Sequence, residues 1–198
     1  MISRPQLLHA IMQQAQQKTT LFVAIDGYAG AGKSTLATWL CEQLSHCQII
    51  RLDDFYRPLS KLQQQLQCAK AVQAYFPAAY VVDQVLQPLH NGDSASWHAL
   101  DWLTQTLLPA KTIHPHGVIL LEGVFSTIGE LQPWLDCSVM VSVSSKIRHQ
   151  RVIARPQPST DWWRHWQATE DWFHKRYDTL HQVDWVLAGD SDGCANTT

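Results

Sequence analysis

The sequence predicts an α/β protein in three layers, with a parallel five-stranded sheet covered by helices on both faces. Three observations predict it. Short apolar runs rich in β-formers alternate with stretches of helical periodicity along the 198 residues. Those runs are continuously apolar, as strands buried on both faces are. The first of them opens directly onto a glycine-rich turn and then a helix, in the stretch "DGYAGAGKST" at residues 26–35.

Taken in order, "LLHAIMQQAQ" reads as an amphipathic leading helix with Leu7, Leu8, Ile11 and Met12 on one side. "LFVAI" (21–25) is the first strand. "TLATWLCEQL" places Leu36, Leu40 and Leu44 at helical spacing, with Trp39 beside them. The remaining strands are "QIIRL" (48–52), "GVILLEG" (117–123), "CSVMVSV" (137–143) and "VDWVLAG" (183–189). Ser144 or Ser145 caps "KIRHQRVIA", which stops before Pro156. Ser159 or Thr160 caps the long helix "DWWRHWQATEDWFHKRYDTL". In that helix Trp162, Trp166, Thr169 and Phe173 form one stripe, which assigns them to the core. Residues 60–115 are rich in Gln, Ala and His and carry no strong strand. They read as short helices and loops inserted at the carboxyl edge of the sheet, a substrate-binding helical insertion within a single domain spanning 1–198. Residues 190–198 read as a loose tail.

Composition narrows the function classes. Fifteen basic and seventeen acidic residues leave a net charge of −2, with no basic block, which argues against nucleic-acid binding. No apolar run approaches the length of a membrane span. The N-terminus has no long apolar core and no small-residue cleavage site, so no signal peptide is expected. The five cysteines, Cys41, Cys47, Cys68, Cys137 and Cys194, are odd in number and irregularly spaced. Reduced thiols and a cytoplasmic location are the expectation. A homo-oligomer stays open.

Residues 27–34 match GxxxxGK[ST], the P-loop, with a strand before it and a helix after it. This makes the expected architecture a three-layer P-loop NTPase fold. Glycines let successive backbone N–H groups point inward at phosphate oxygens, and the following helix offers its positive end to the same anion. Gly27, Tyr28, Ala29, Gly30, Ala31, Gly32, Lys33, Ser34 and Thr35 are therefore the candidate ATP cradle. Lys33 neutralises β- and γ-phosphate charge, Ser34 takes a Mg²⁺ position, and Thr35 is placed for the α-phosphate.

Three further stretches point from binding to phosphoryl transfer. In "RLDDFYRP", Asp53 and Asp54 follow the second strand at the edge where open α/β sheets bind ligands, so a carboxylate there can take a proton from an attacking hydroxyl. Adjacent acids face opposite ways, and the alternative for either is a solvated helix cap. In "VILLEGV", Glu122 ends an apolar strand in the acidic position of a Walker B segment, beside Ser34, as a second Mg²⁺ contact. In "RHQRVIARP", Arg148, Arg151 and Arg155 share a helix face suited to the charge on a transferring phosphoryl group, or form a solvated basic face.

Together these stretches resemble the uridine kinase-like P-loop kinases, relatives of pantothenate kinase and phosphoribulokinase, over residues 21–189. The resemblance rests on the order P-loop, Asp53-Asp54-Phe55-Tyr56 for D-x-F-Y, Glu122-Gly123-Val124 for E-G-[IV], and Arg151 with Arg155 for a short arginine lid. "LDW" at 100–102 is similar to the family's Y-D-[FW], and "VLQPLHNG" to its "vL.PL..G" run. The resemblance implies ATP and Mg²⁺ as cofactors, a small-molecule hydroxyl as acceptor, Asp53 as general base and Tyr56 as a substrate contact. Arg57, Tyr75 and Asp101, with Trp102, would line the acceptor pocket, the alternative for Arg57 being a pair with Asp53 or Asp54 away from substrate. Two departures bear on the acceptor. "YFPAAY" has no acid where nucleoside kinases of the family carry one for ribose, and Leu100 replaces an aromatic residue. Pro156 stands where the lid arginine is usually followed by Asp. Pantothenate, glycerate or another sugar-like alcohol are rival acceptors, and an ATP-binding regulatory module is the rival outside catalysis. "HPH" at 114–116 reads as a loop, and Lys18, Lys111 and Lys175 as solvated charges.

Overall fold

The computed structural model describes residues 1–57, 66, 68–101, 104, 106–154 and 160–189. Trp102, Arg155, the candidate cap Ser159, Cys194 and the tail at 190–198 lie outside the described residues.

Five parallel strands form the sheet, β1 Thr20–Asp26, β2 Cys47–Arg51, β7 Gly117–Glu122, β8 Cys137–Ser142 and β9 Trp185–Ala188, in the order β2-β7-β1-β8-β9. All five fall where the apolar runs predict them. β1 alternates between two covered faces. Leu21, Val23 and Ile25 pack with α1 (Arg4–Ala15) and α2 (Lys33–Gln43), while Phe22 faces the opposite cluster. That second cluster is closed by α3 (Cys68–Tyr75), the successive short helices α4 (Ala78–Val81), a π-helical turn (Val82–Leu86) and α5 (Gln87–His90), and by Trp166 and Phe173 of α7 (Thr160–Arg176). Ser144 caps α6 (Ser145–Ile153) by accepting from the Ile147 N–H. The short α8 (Thr179–Gln182) leads into β9. The stripe of the long helix is core as expected, with Trp162 stacked on Trp166 at 5.5 Å.

Three expectations are corrected. Met12 is exposed, because the buried stripe of α1 runs through Leu7 and Ile11 only. The stretch between β2 and β7 contains two small antiparallel ladders. One is β3 (Ala95–Trp97) with β6 (Lys111–Ile113), the other β4 (Leu100–Asp101) with β5 (Thr106–Leu107). Cys41 and Cys47 are joined in a disulfide, since α2 ends just after Cys41 and a short turn returns the chain to within 5.0 Å between Cα atoms. Cys68 and Cys137 are free thiols.

Candidate active site

The site grows from the carboxyl end of β1. Asp26, fully buried, accepts from the Gly27 N–H (2.6 Å), the Thr127 N–H (2.9 Å) and the Thr127 hydroxyl (2.5 Å). This roots the turn on the segment after β7. Gly27 and Gly30 then pass closer to backbone than any other residue could. A Cβ on Gly27 would lie 2.6 Å from the Val141 carbonyl oxygen, and one on Gly30, at φ +78°, 2.7 Å from that of Arg148. α2 starts at Lys33 behind Gly32, which provides no side-chain cap, so the first-turn amides of α2 are left to an external acceptor. An anion suits that position.

Lys33 is 8% exposed and donates to the carbonyls of Gly27 (2.8 Å) and Tyr28 (3.1 Å). It is folded back on the loop rather than standing in solvent. Glu122 sits at the end of β7, in register with Ile25 on one side and Arg51 on the other. It accepts from Ser34, and Arg51 lies 3.7 Å away. Burial pushes its carboxyl above the usual range. Lys33, the Ser34 hydroxyl and Arg51 oppose that rise, and the negative charge of Asp53 adds to it. Lys33, Ser34, Asp53 and Glu122 thus form one electrostatic cluster. Ser34 and Glu122 offer the hard oxygen donors Mg²⁺ takes, with its other positions left to phosphate and water.

The two aspartates separate clearly. Asp53 is exposed on the 3₁₀ turn Leu52–Asp54, and its charge acts on both Glu122 and Tyr56. Asp54 is no solvated cap. It accepts from Lys111 (2.7 and 2.8 Å) and from the Trp97 indole (2.9 Å), which ties the turn to the β3–β6 ladder. Lys111 is therefore paired, and so is Lys18, with Asp136.

Arg151 reaches the Gly30 carbonyl (3.4 Å) and the Gly189 carbonyl (3.5 Å), between the loop and the end of β9. Arg148 lies over the Tyr28 ring at 3.9 Å. Of the candidate acceptor residues, Tyr56 and Tyr75 are buried. Their hydroxyls are engaged by the Val124 carbonyl (2.6 Å) and His165 Nδ1 (2.8 Å), and their rings pack in the cluster beside Trp166. Asp101 accepts from the Thr104 N–H (3.0 Å). Arg57 is exposed, and its N–H donates to the Tyr75 carbonyl.

A sequence model of the phosphoribulokinase / uridine kinase family matches residues 22–159, from β1 through the segment after α6. The chain belongs to that family. A uridine kinase of Limosilactobacillus reuteri is 30% identical over 152 residues, 73% of this chain and 68% of the relative. A pantothenate kinase of Haemophilus influenzae is 26% identical over 174 residues, 78% of this chain and 55% of the relative. A solved structure described as a possible uridine kinase from Bacillus stearothermophilus shares the fold with a TM-score of 0.63 at 20% identity, covering 91% of this chain and 98% of that one.

Beside the family motifs stands a buried acid that sequence reading missed. Glu170 of α7 is 1% exposed and accepts from the Ala29 N–H at 2.9 Å. Its only sequence signal is position, four residues after Trp166 and three before Phe173 in the core stripe. Burial pushes its carboxyl up to about 7, and Lys33, the Ala29 N–H, Trp166 and Arg148 hold it from going higher. The folded protein therefore binds a proton here more tightly than the unfolded chain. This contribution is full below the ordinary value of 4.5 and is lost as pH rises through about 7, a change of about 3 kcal/mol. Glu170→Gln should gain on wild type in thermal unfolding as pH is raised from 5 to 8. Parallel curves for the two proteins would show that Glu170 does not titrate in that window.

Proposed function

We propose that this member of the family is an ATP- and Mg²⁺-dependent kinase that transfers the γ-phosphoryl group to a hydroxyl of a polar small molecule other than a pyrimidine nucleoside. The observation that carries the reading is the convergence of Lys33, Ser34, Asp53 and Glu122 at the carboxyl edge of β1, β2 and β7. A protein that only binds nucleotide has no use for an exposed carboxylate at that edge.

In this reading the amides of residues 27–35 hold the phosphates, and Lys33 leaves the loop carbonyls for phosphate oxygens. Ser34 and Glu122 would hold Mg²⁺, which when bound neutralises phosphate charge. The acceptor oxygen bonds to the γ-phosphorus and the bond to the β-phosphate bridging oxygen breaks. ADP departs with that electron pair, and Asp53 takes the hydroxyl proton. Arg151, with Arg155, offsets the charge on the transferring group.

The acceptor follows from what the pocket region presents. "YFPAAY" supplies no acid, and the Tyr56 and Tyr75 hydroxyls are already bonded. Arg57 is exposed, while Lys111 and Trp97 occupy Asp54, one of the two acids that could have held it. A guanidinium that pairs with no acid among the described residues suits a carboxylate-bearing alcohol, and a relative among the pantothenate kinases fits that chemistry. A site lacking polar partners for ribose loses about 10⁴-fold in discrimination. Steady-state assays with uridine, cytidine, pantothenate, glycerate and other hydroxy acids test this. Turnover is expected with an anionic alcohol. Uridine or cytidine with kcat/KM near about 10⁵ M⁻¹s⁻¹ would restore a nucleoside acceptor.

A further inference from the structure

Glu170 is not used by that mechanism, yet it touches the P-loop. Its Oε1 accepts from the N–H of Ala29, the residue before Gly30, and the Trp166 indole also donates to it. One turn further along α7, His174 packs its ring 4.2 Å from Tyr28, the residue before Ala29. Arg148 of α6 lies over the same tyrosine. The second half of the loop is fixed differently, by the tight passage of Gly30 against α6 and by the start of α2. At Gly27 and Tyr28 the first half is tied to Asp26, Val141 and Lys33, and at Tyr28 and Ala29 it also meets α7, a helix distant in sequence.

A carboxylate is an unfavourable way to fill buried space. A leucine of similar volume would avoid desolvating a polar group. What Glu170 adds is an acceptor oxygen for one amide, aimed from behind the loop. A loop whose N–H groups already stand in their binding arrangement loses less freedom when phosphate arrives.

We propose that Glu170 is a positioning residue, holding the crest of the P-loop through the Ala29 amide so that α7 sets the shape of the phosphate cradle. The proposal rests on the nucleotide-binding reading above, and its test contains one arm that needs no nucleotide. Glu170→Leu keeps the volume and removes the acceptor, whereas Glu170→Gln keeps an acceptor oxygen.

In nucleotide-free protein, amide hydrogen exchange across residues 27–33 should speed up by about tenfold in Glu170→Leu and stay within about twofold of wild type in Glu170→Gln. In the steady state, KM for ATP should rise about tenfold or more in Glu170→Leu with kcat within about threefold, and Glu170→Gln should restore it. Wild-type exchange at the loop in Glu170→Leu overturns the proposal. So does a glutamine variant as impaired as the leucine one. If wild type bound no ATP, the functional reading would fail while the exchange arm still decided the role of Glu170.

Discussion

Replacing Lys33 with alanine is expected to lower kcat/KM for ATP by about a hundredfold or more. Lys33 is the cation of the loop, and each charge-assisted bond to phosphate is worth about 1.5–3 kcal/mol. Its ammonium satisfies the Gly27 and Tyr28 carbonyls at 2.8 and 3.1 Å. The variant leaves both carbonyls without that donor, so a moderate fall in thermal stability accompanies the loss. The fold itself rests on the sheet and its two apolar clusters, neither of which Lys33 builds. Circular dichroism alongside the kinetics separates the two effects. A folded variant that turns over ATP like wild type would show that the loop does not carry the phosphates.

Asp53→Asn should lower kcat by about 10²–10⁴-fold while ATP still binds, the usual effect of losing a positioned general base. The structure distinguishes it from its neighbour. Asp54 is held by Lys111 and Trp97 and cannot leave them without stranding a buried indole N–H and an ammonium, whereas Asp53 is exposed beside Glu122. Asp54→Asn should therefore act mainly on stability, through the tie to the β3–β6 ladder, and much less on kcat. The opposite ranking of the two variants would move the base to Asp54.

How much of this was legible in the sequence depended on the range of the interactions. The five sheet strands showed as continuous apolar runs, because a strand covered on both faces must be apolar at every position. The P-loop showed because its glycines answer to backbone geometry at fixed offsets, Gly27 through its closeness to Val141 and Gly32 through its φ of +99°. The small ladders between β2 and β7 did not show, since two- and three-residue strands are too short to carry a period. Long-range polar pairs were equally hidden. Nothing local marks Lys111 as the partner of Asp54 or Lys18 as the partner of Asp136, and both looked like solvated charges. The bonds of the Tyr56 hydroxyl to the Val124 carbonyl and of the Tyr75 hydroxyl to His165 were hidden in the same way. Glu170 was hidden for the opposite reason. It lies on a helix whose tryptophans and phenylalanine dominate the pattern, and only the tertiary approach of Ala29 gives it a role.

The central claim is that the cluster at the end of β1 transfers a phosphoryl group to a hydroxyl. Its most direct measurement is ADP formation by wild-type protein with ATP and Mg²⁺, with and without a pool of small hydroxyl acceptors, with mass spectrometry of the pool. The account predicts ADP release that depends on the acceptors, matched mole for mole by one phosphorylated alcohol and lost in Asp53→Asn. ATP that binds but yields neither ADP nor a phosphorylated alcohol across a pool containing nucleosides, hydroxy acids and sugars would contradict it.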